Sequence, residues 1–133
     1  MGLPTTGRVA LMAIHPIYAE AILNGTKTVE FRKRRLAKDI DTVWIYATAP
    51  VQKIVGEFHI EETVVDSPET IWSAFGEVGI IEYSDYQEYY AEKSEAVAFV
   101  VQHSRRYEEP MALNDLNPPP SIPQSFSYLL KTA

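Results

Sequence analysis

Residues 14–35 read IHPIYAEAILNGTKTVEFRKRR, and they contain the change from helix to strand around which the predicted fold is arranged. A helix is predicted over Pro16 to Asn24, because proline suits the first turn of a helix. Asn24 and Gly25 end it, since both residues tolerate the left-handed conformation that follows a helix. Alternation with period two from Thr26 to Lys33 then indicates a strand. The segment is therefore predicted to pass from a helix through a tight turn into a strand.

The side chains of this segment are predicted to divide between faces. In the helix, Ile17, Ala21 and Ile22 fall near one side. In the strand, one face carries Val29, Phe31 and Lys27, and the other carries Thr28, Glu30 and Arg32. Lys27 reaches the same cleft as Glu30 and Arg32 if the strand is twisted where it begins.

The rest of the chain is predicted to add strands and two more helices. The further strands are Arg8 to Ile14, Thr42 to Thr48, Ile54 to Val65 with a bulge at Gly56, Glu95 to Gln102 and Ser125 to Leu130. One helix opens at Ser67 and Pro68 and ends near Gly76, and the other covers Ser84 to Lys93 with Ser84 as its N-cap. Arg106 to Pro110 is predicted as an extended piece or a turn, and Pro118 to Pro123 as a strap or a linker.

These elements predict a single α+β domain over residues 1–133. Its sheet has five to six mostly antiparallel strands and curls into a partial β-barrel, with a helix after the first strand and two further helices.

Composition narrows the class of protein. The chain has 133 residues, 46% of them hydrophobic, which is typical of one globular domain. It has no cysteine, which excludes disulfides and thiolate metal sites. No apolar run approaches the roughly 20 residues that span a bilayer. Met1 to Gly7 lacks the pattern of a secretory signal, so a cytoplasmic location away from membranes is predicted.

Charge is unevenly distributed along the chain. The net charge of −6 argues against a general binder of phosphate backbones. Six of the twelve basic residues nevertheless lie within residues 27–38, and eleven of the eighteen acidic residues lie within residues 57–95. Contact with a nucleic acid is therefore predicted to be local, and the acidic helices offer a surface for a protein partner.

Lys27, Glu30 and Arg32 have two interpretations from their spacing alone. They form either an ion network on a solvated strand or a cleft around a small polar ligand. In the second interpretation the Arg32 guanidinium contacts a phosphate or a base edge, and Lys27 supplies a charge or an activated amine.

Four motifs together resemble the signature of the ASCH family, which belongs to the PUA-like superfamily. They are HPIY at 15–18, GTKT at 25–28, EFR at 30–32 and WIYATA at 44–49, followed by Gly56-Glu57. The resemblance covers roughly residues 9–60. It implies a PUA-like barrel with a cleft beside the first helix that binds RNA or a nucleotide, without a cofactor.

The resemblance also implies catalytic candidates. Some members of the family deacetylate N4-acetylcytidine, and others are described as ribonucleases. The lysine of the amidohydrolase members corresponds to Lys27, and Glu30 stands where those members carry threonine. Glu77 is the nearest candidate for their later catalytic glutamate. In a hydrolytic reaction Lys27 is predicted to act as base or nucleophile, and Glu30 or Glu77 as its acid or base partner.

The remaining candidates are predicted to bind the ligand. Tyr18 lies on the helix that faces the Lys27 strand. Trp44 is predicted to belong to the core, and Tyr46 either stacks a base or belongs to the core as well. Ser125 is predicted to close the cleft. The residues predicted to contact phosphates are Arg32, Lys33, Arg34 and Arg35. Three alternatives stay open: a binder of RNA or modified nucleotides, a small hydrolase, and a protein-interaction domain.

Overall fold

The computed structural model describes residues 7–130, and the predictions about residues 1–6 and 131–133 lie outside it. In chain order the elements are β1 (Arg8–Ile14), α1 (Pro16–Leu23), β2 (Val29–Arg32), β3 (Thr42–Ala47), β4 (Lys53–Asp66), α2 (Pro68–Phe75), α3 (Tyr83–Tyr89), β5 (Ala96–Met111) and β6 (Phe126–Leu130). A short 3-10 turn covers Leu113–Asp115. Three helices and six strands confirm the α+β prediction. None of the helices in the described range is long and apolar enough to cross a membrane.

The strands form one mixed sheet in the order β2-β5-β4-β3-β1-β6. β1 and β3 pair in parallel, and the other neighbouring strands pair antiparallel. α1 follows β1 directly in the chain, as predicted. In this order β2 and β6 lie at the two edges, so the sheet is a partial barrel that does not close.

The apolar core has clusters on both faces of the sheet, because residues alternate along each strand. One cluster packs α1 against β1, β3 and β5 and includes Ile22, Ile45 and Phe99. A second cluster packs α2 and α3 against β2 and β5 and includes Phe31 and Tyr86. The sheet therefore positions both helical segments, and β2 contributes to the cluster beneath α2 and α3.

α2 and α3 form a helical insert between β4 and β5, residues 67–95. Ser67 caps α2 as predicted, since the backbone N–H of Thr70 donates to Ser67 Oγ over 3.1 Å. Val78 lies between the two helices, and its carbonyl accepts a hydrogen bond from the backbone N–H of Thr28 over 3.0 Å. This bond ties the insert to the chain at the start of β2.

Gly56 marks a bulge, as predicted. The register between β4 and β5 shifts between Ile54 and Gly56. A Cβ atom at Gly56 would lie 2.5 Å from the carbonyl oxygen of Arg105 and 2.7 Å from Leu23 Cδ2. The neighbouring strand and α1 thus approach this backbone too closely for any side chain.

Several predicted boundaries and orientations were wrong. α3 begins at Tyr83 after the N-cap residue Glu82, so Ser84 is not the cap. β5 continues to Met111 and includes the segment 106–110 that was predicted as a separate piece or turn. Ile17 is 77% exposed. At about 100° per residue, Ile17 and Ile22 lie roughly 140° apart around the helix, so they do not share its buried side.

Candidate functional site

A cavity of about 560 Å³ lies between α1, β2 and α3. The end of β1 contributes to it, and the helical insert supplies the wall opposite the sheet. The residues that line it are Ala13, Ile14, His15, Tyr18, Lys27, Glu30, Phe31, Arg32, Ile81, Asp85, Glu88 and Tyr89. The predicted trio of Lys27, Glu30 and Arg32 is therefore brought together at one cavity.

Lys27 lies buried in this cavity because of the turn that precedes it. Gly25 has a φ of +89°, a conformation that favours glycine, and the backbone N–H of Lys27 donates to the carbonyl of Ala21 over 3.0 Å. The Lys27 side chain is 3% exposed, and its Nζ donates to the carbonyl of Gly79. Nζ also lies 5.1 Å from the centroid of the Tyr18 ring. The ammonium group is thus held between the two walls of the cavity.

The environment of Lys27 lowers the pKa of its amine from the usual 10.5. Burial is the main cause, because it disfavours the charged form. The carboxylate of Glu30 opposes this effect, and the positive charge of Arg32 adds to it. The neutral amine is therefore more accessible in Lys27 than in a lysine on the surface.

Glu30 joins the two cations. Its Oε2 accepts hydrogen bonds from Arg32 Nε over 3.0 Å and from Arg32 Nη2 over 2.7 Å. Its Oε1 lies 3.5 Å from Lys27 Nζ. Since Oε2 is occupied by Arg32, Oε1 is the oxygen that remains to accept a further hydrogen bond. Lys27 and Glu30 thus place a donor and an acceptor side by side.

Arg32 is directed at the protein rather than at a ligand. Besides its bonds to Glu30, its Nη2 donates to the carbonyl of Ala13 over 2.9 Å. Its Nη1 donates to Ser125 Oγ over 3.0 Å and to the Ser125 carbonyl over 3.5 Å. All five N–H groups of the guanidinium therefore have protein acceptors. In this arrangement Arg32 cannot contact a phosphate or a base edge with two hydrogen bonds, which corrects that prediction.

Ser125 is a hydrogen-bond partner of Arg32. It precedes β6 and is half-buried, and its backbone carbonyl also accepts from Ala13 N over 2.9 Å. Ser125 does not line the cavity. It accepts hydrogen bonds from Arg32 outside the cavity lining, which corrects the prediction that Ser125 closes the cleft over a ligand.

The wall opposite the sheet was not predicted. Asp85, Glu88 and Tyr89 come from α3 and Ile81 from the loop before it. The available signal was their spacing, because residues three and four apart share one face of a helix. That signal does not reveal which element the face meets, so these residues were missed.

Negative charge from this wall reaches Tyr18. The pKa of the Tyr18 hydroxyl is raised above 10.0, chiefly by burial and then by the charges of Asp85, Glu30 and Glu82. Tyr18 lines the cavity, as predicted, and its hydroxyl stays protonated at neutral pH.

Two predicted site residues lie elsewhere. Glu77 is exposed and does not line the cavity, so it is not placed to assist Lys27. Tyr46 is 2% exposed and packs with Leu11 and Ile54. Its neighbour Ile45 faces the cluster that contains α1, so alternation turns Tyr46 to the opposite face. The prediction that Tyr46 stacks a base was therefore wrong, and the alternative that it belongs to the core is confirmed.

A basic strip, defined as Lys33, Arg34 and Arg35, follows β2 and is exposed. Lys33 Nζ lies 4.5 Å from the centroid of the Tyr89 ring, and Tyr89 lines the cavity. The Arg34 guanidinium lies 4.9 Å from the Phe126 ring. The strip thus begins beside the cavity, on the solvent side.

The histidines do not form a metal site in the described part of the chain. His15 is exposed and lines the cavity. His59 and His103 have ring centroids 5.8 Å apart on β4 and β5. Within residues 7–130 no three His, Asp or Glu side chains are grouped so as to bind a metal ion.

Comparison with known proteins supports the family resemblance that the sequence motifs indicate. The ASCH domain-containing ribonuclease of Zymomonas mobilis is 34% identical over 93 residues, which is 69% of this chain and 63% of that protein. This chain thus aligns with somewhat less than two thirds of that relative.

Solved structures share the fold over nearly the whole chain. The crystal structure of ASCH from Zymomonas mobilis superposes with a TM-score of 0.85 at 31% identity, covering 92% of this chain and 88% of that one. A serine-to-alanine variant of the same protein gives 0.86 at 30% identity, covering 97% and 92%. The sequence pattern of the ASCH domain matches residues 12–110, and the chain therefore belongs to the ASCH family.

Proposed function

We propose that this chain is an RNA-binding or nucleotide-binding ASCH domain that holds one nucleotide unit in the cavity beside Lys27. The named activity of the Zymomonas relative, a ribonuclease, makes RNA the first ligand to consider. We also infer that the chain acts as one domain, since the core clusters share one sheet.

The observation that carries this proposal is the buried pair of Lys27 and Glu30 at an aromatic cavity. Buried charges are costly unless they are paired, and this pair still presents polar atoms to an open space. Tyr18, Phe31 and Tyr89 line the same cavity. Its volume of about 560 Å³ is suited to a ligand of nucleoside size. An aromatic ring that stacks on a base contributes about 1–3 kcal/mol.

The basic strip supports a local contact with a nucleic-acid backbone. The chain as a whole is acidic, with a net charge of −6, and would not attract RNA over its whole surface. The strip instead concentrates exposed cations next to the cavity. A strand with one base in the cavity would place its neighbouring phosphates near these cations.

A second candidate function is hydrolysis, and the lowered pKa of Lys27 favours it. A neutral amine at Lys27 is able to take a proton from water or to attack a carbonyl carbon. Glu30 lies 3.5 Å away and is placed to exchange the proton. The substrates in question are an RNA phosphodiester or the amide of an acylated nucleoside.

One experiment tests both candidates. Wild type, Lys27→Met and the matched control Lys93→Met are compared for binding and turnover with a short single-stranded RNA, N4-acetylcytidine and other acylated nucleosides. Lys93 is exposed and lies outside the cavity lining, so its replacement removes the same charge elsewhere. Circular dichroism and thermal unfolding report whether each variant is folded.

The outcomes separate the candidates. Turnover that is lost in Lys27→Met and kept in Lys93→Met makes the protein a hydrolase that uses the cavity. Binding without turnover, weakened in Lys27→Met alone, makes it a binder. Binding that is equal in all three proteins contradicts the placement of the ligand beside Lys27.

A further inference from the structure

Asp85 and Glu88 of α3 bring two carboxylates to a cavity whose other charged side chains, Lys27, Glu30 and Arg32, come from β2 and the turn before it. Resting on the proposed function, we propose that these two residues make the cavity select uncharged or cationic groups. A nucleobase or nucleoside enters, and phosphate groups stay outside on the basic strip.

The charges that line the cavity carry this inference. Its cations are Lys27 and Arg32, and its anions are Glu30, Asp85 and Glu88. Arg32 and Glu30 largely neutralise each other through two hydrogen bonds. Lys27 then remains against two carboxylates of α3. Asp85 and Glu88 are exposed, so an anion that approaches the cavity meets their negative charge before it reaches Lys27.

Hydrogen-bonding capacity leads to the same conclusion. Ionised carboxylates only accept hydrogen bonds, and Asp85 and Glu88 bring two of them. The donors of Arg32 are all used within the protein, and Lys27 already donates to Gly79. The cavity therefore has more acceptors than free donors. It fits a ligand that carries N–H groups, such as an amino-bearing base, and not a phosphate, which is an acceptor.

The negative charge of Asp85 acts on the hydroxyl of Tyr18. The pKa of Tyr18 is raised first by burial and then by Asp85, which is the strongest of the charges that act on it. The same negative field raises the free energy of any further anion in the cavity.

The basic strip offers phosphates a different place. Lys33, Arg34 and Arg35 are exposed, and none of them has an ion-pair partner within residues 7–130. The contact of Lys33 with Tyr89 puts the first of these cations at the edge of the cavity. The exposed carboxylates of Asp85 and Glu88 on one wall and the basic strip outside the cavity thus divide a nucleotide into a base that is taken in and a phosphate that is kept out.

The test compares four nucleosides, adenosine, cytidine, guanosine and uridine, with their 5′-monophosphates. Affinities are measured by titration while backbone amide resonances are followed by NMR, which detects binding in the millimolar range. The proteins are wild type, Asp85→Asn/Glu88→Gln and the control Glu61→Gln/Glu62→Gln. Both residues of the control pair are exposed on β4 and lie outside the cavity lining.

In wild type we expect nucleosides to bind in the cavity, and a 5′-monophosphate to gain affinity over its nucleoside only from the exposed cations of the basic strip. The ratio of these two affinities in wild type is the reference for the variants. In Asp85→Asn/Glu88→Gln the ratio should shift towards the monophosphate by about tenfold at low ionic strength, and by less at 0.15 M salt, because salt screens the repulsion that was removed. The control pair should leave the ratio unchanged. Since Asp85 lies in the first turn of α3, Glu88→Gln alone serves if the double variant is unstable, with about half of the shift in log affinity.

A ratio that Asp85→Asn/Glu88→Gln leaves unchanged overturns the inference. RNA binding that does not move the resonances of cavity residues overturns it as well. If wild type binds no nucleoside, monophosphate or single-stranded RNA, the proposed function itself is wrong.

Discussion

Replacing Arg32 with methionine tests whether its guanidinium holds the fold together or contacts the ligand. The structure directs all five N–H groups to Glu30, Ala13 and Ser125, which belong to β2, the end of β1 and the segment before β6. We therefore expect Arg32→Met to reduce stability far more than its loss of one charge implies. Methionine keeps much of the volume of the side chain, so the change isolates the polar contacts.

The size of the effect follows from what is left behind. Removing one partner of a buried ion pair costs about 3–5 kcal/mol. Glu30, with a side chain that is 8% exposed, loses two hydrogen bonds but keeps Lys27 at 3.5 Å, which offsets part of that cost. The carbonyl of Ala13 loses its bond to Arg32 as well. We expect the free energy of unfolding to fall by about 3 kcal/mol, which lowers the melting temperature by roughly 10 °C in a chain of this size.

Urea denaturation of Arg32→Met, with Arg35→Met as the control, measures this. Arg35 is exposed, so its replacement should change stability by no more than about 0.5 kcal/mol. Adding Glu30→Gln to Arg32→Met should recover part of the loss, because the unpaired carboxylate is removed. The reasoning is refuted if Arg32→Met is as stable as Arg35→Met while its affinity for RNA falls tenfold or more.

Three further outcomes are expected. Gly56→Ala should lower the free energy of unfolding by about 2 kcal/mol or more in urea denaturation. Gly7 has open space around it, so Gly7→Ala should not lower it. Equal urea midpoints of the two variants would show that the strands can separate. The pKa of Lys27 is lowered in the folded protein, so the unfolded chain binds more protons between that pKa and 10.5. The stability of wild type relative to Lys27→Met should therefore rise with pH across this window. A difference in urea midpoints that stays constant up to pH 10.5 contradicts this. Arg34→Gln/Arg35→Gln should reduce the slope of log affinity for single-stranded RNA against log salt by up to about 1.4, and an unchanged slope would place the backbone contact elsewhere.

The sequence was sufficient for features that depend on neighbouring residues. The turn at Gly25, the bulge at Gly56 and the cap at Ser67 all lie where their residue types predict, because each depends on local backbone geometry. The position of Lys27 in the same cavity as Glu30 was likewise predicted, on the condition that the strand twists where it begins.

Features that depend on distant segments were not predictable from patterns. The orientation of Arg32 is set by Ala13 and Ser125, which are 19 and 93 residues away in the chain. Alternation along β3 indicated that Tyr46 has a preferred side but not which side meets α1. The face of α3 that carries Asp85 turned out to complete the cavity, and its charges alone were typical of a solvated helix.

The two walls of the cavity are built by separate parts of the chain, one by α1 and β2 and the other by the helical insert. They are joined by the apolar cluster that includes Phe31 and Tyr86 and by hydrogen bonds such as Lys27 to Gly79 and Thr28 to Val78. The exposed side chains Asp85 and Glu88 of α3 lie outside this cluster. Substitutions on the exposed face of α3 therefore leave every strand pair intact while they change what a ligand meets. The exposed face of α3 thus offers both evolution and protein engineering a route to new ligand preferences around an unaltered lysine.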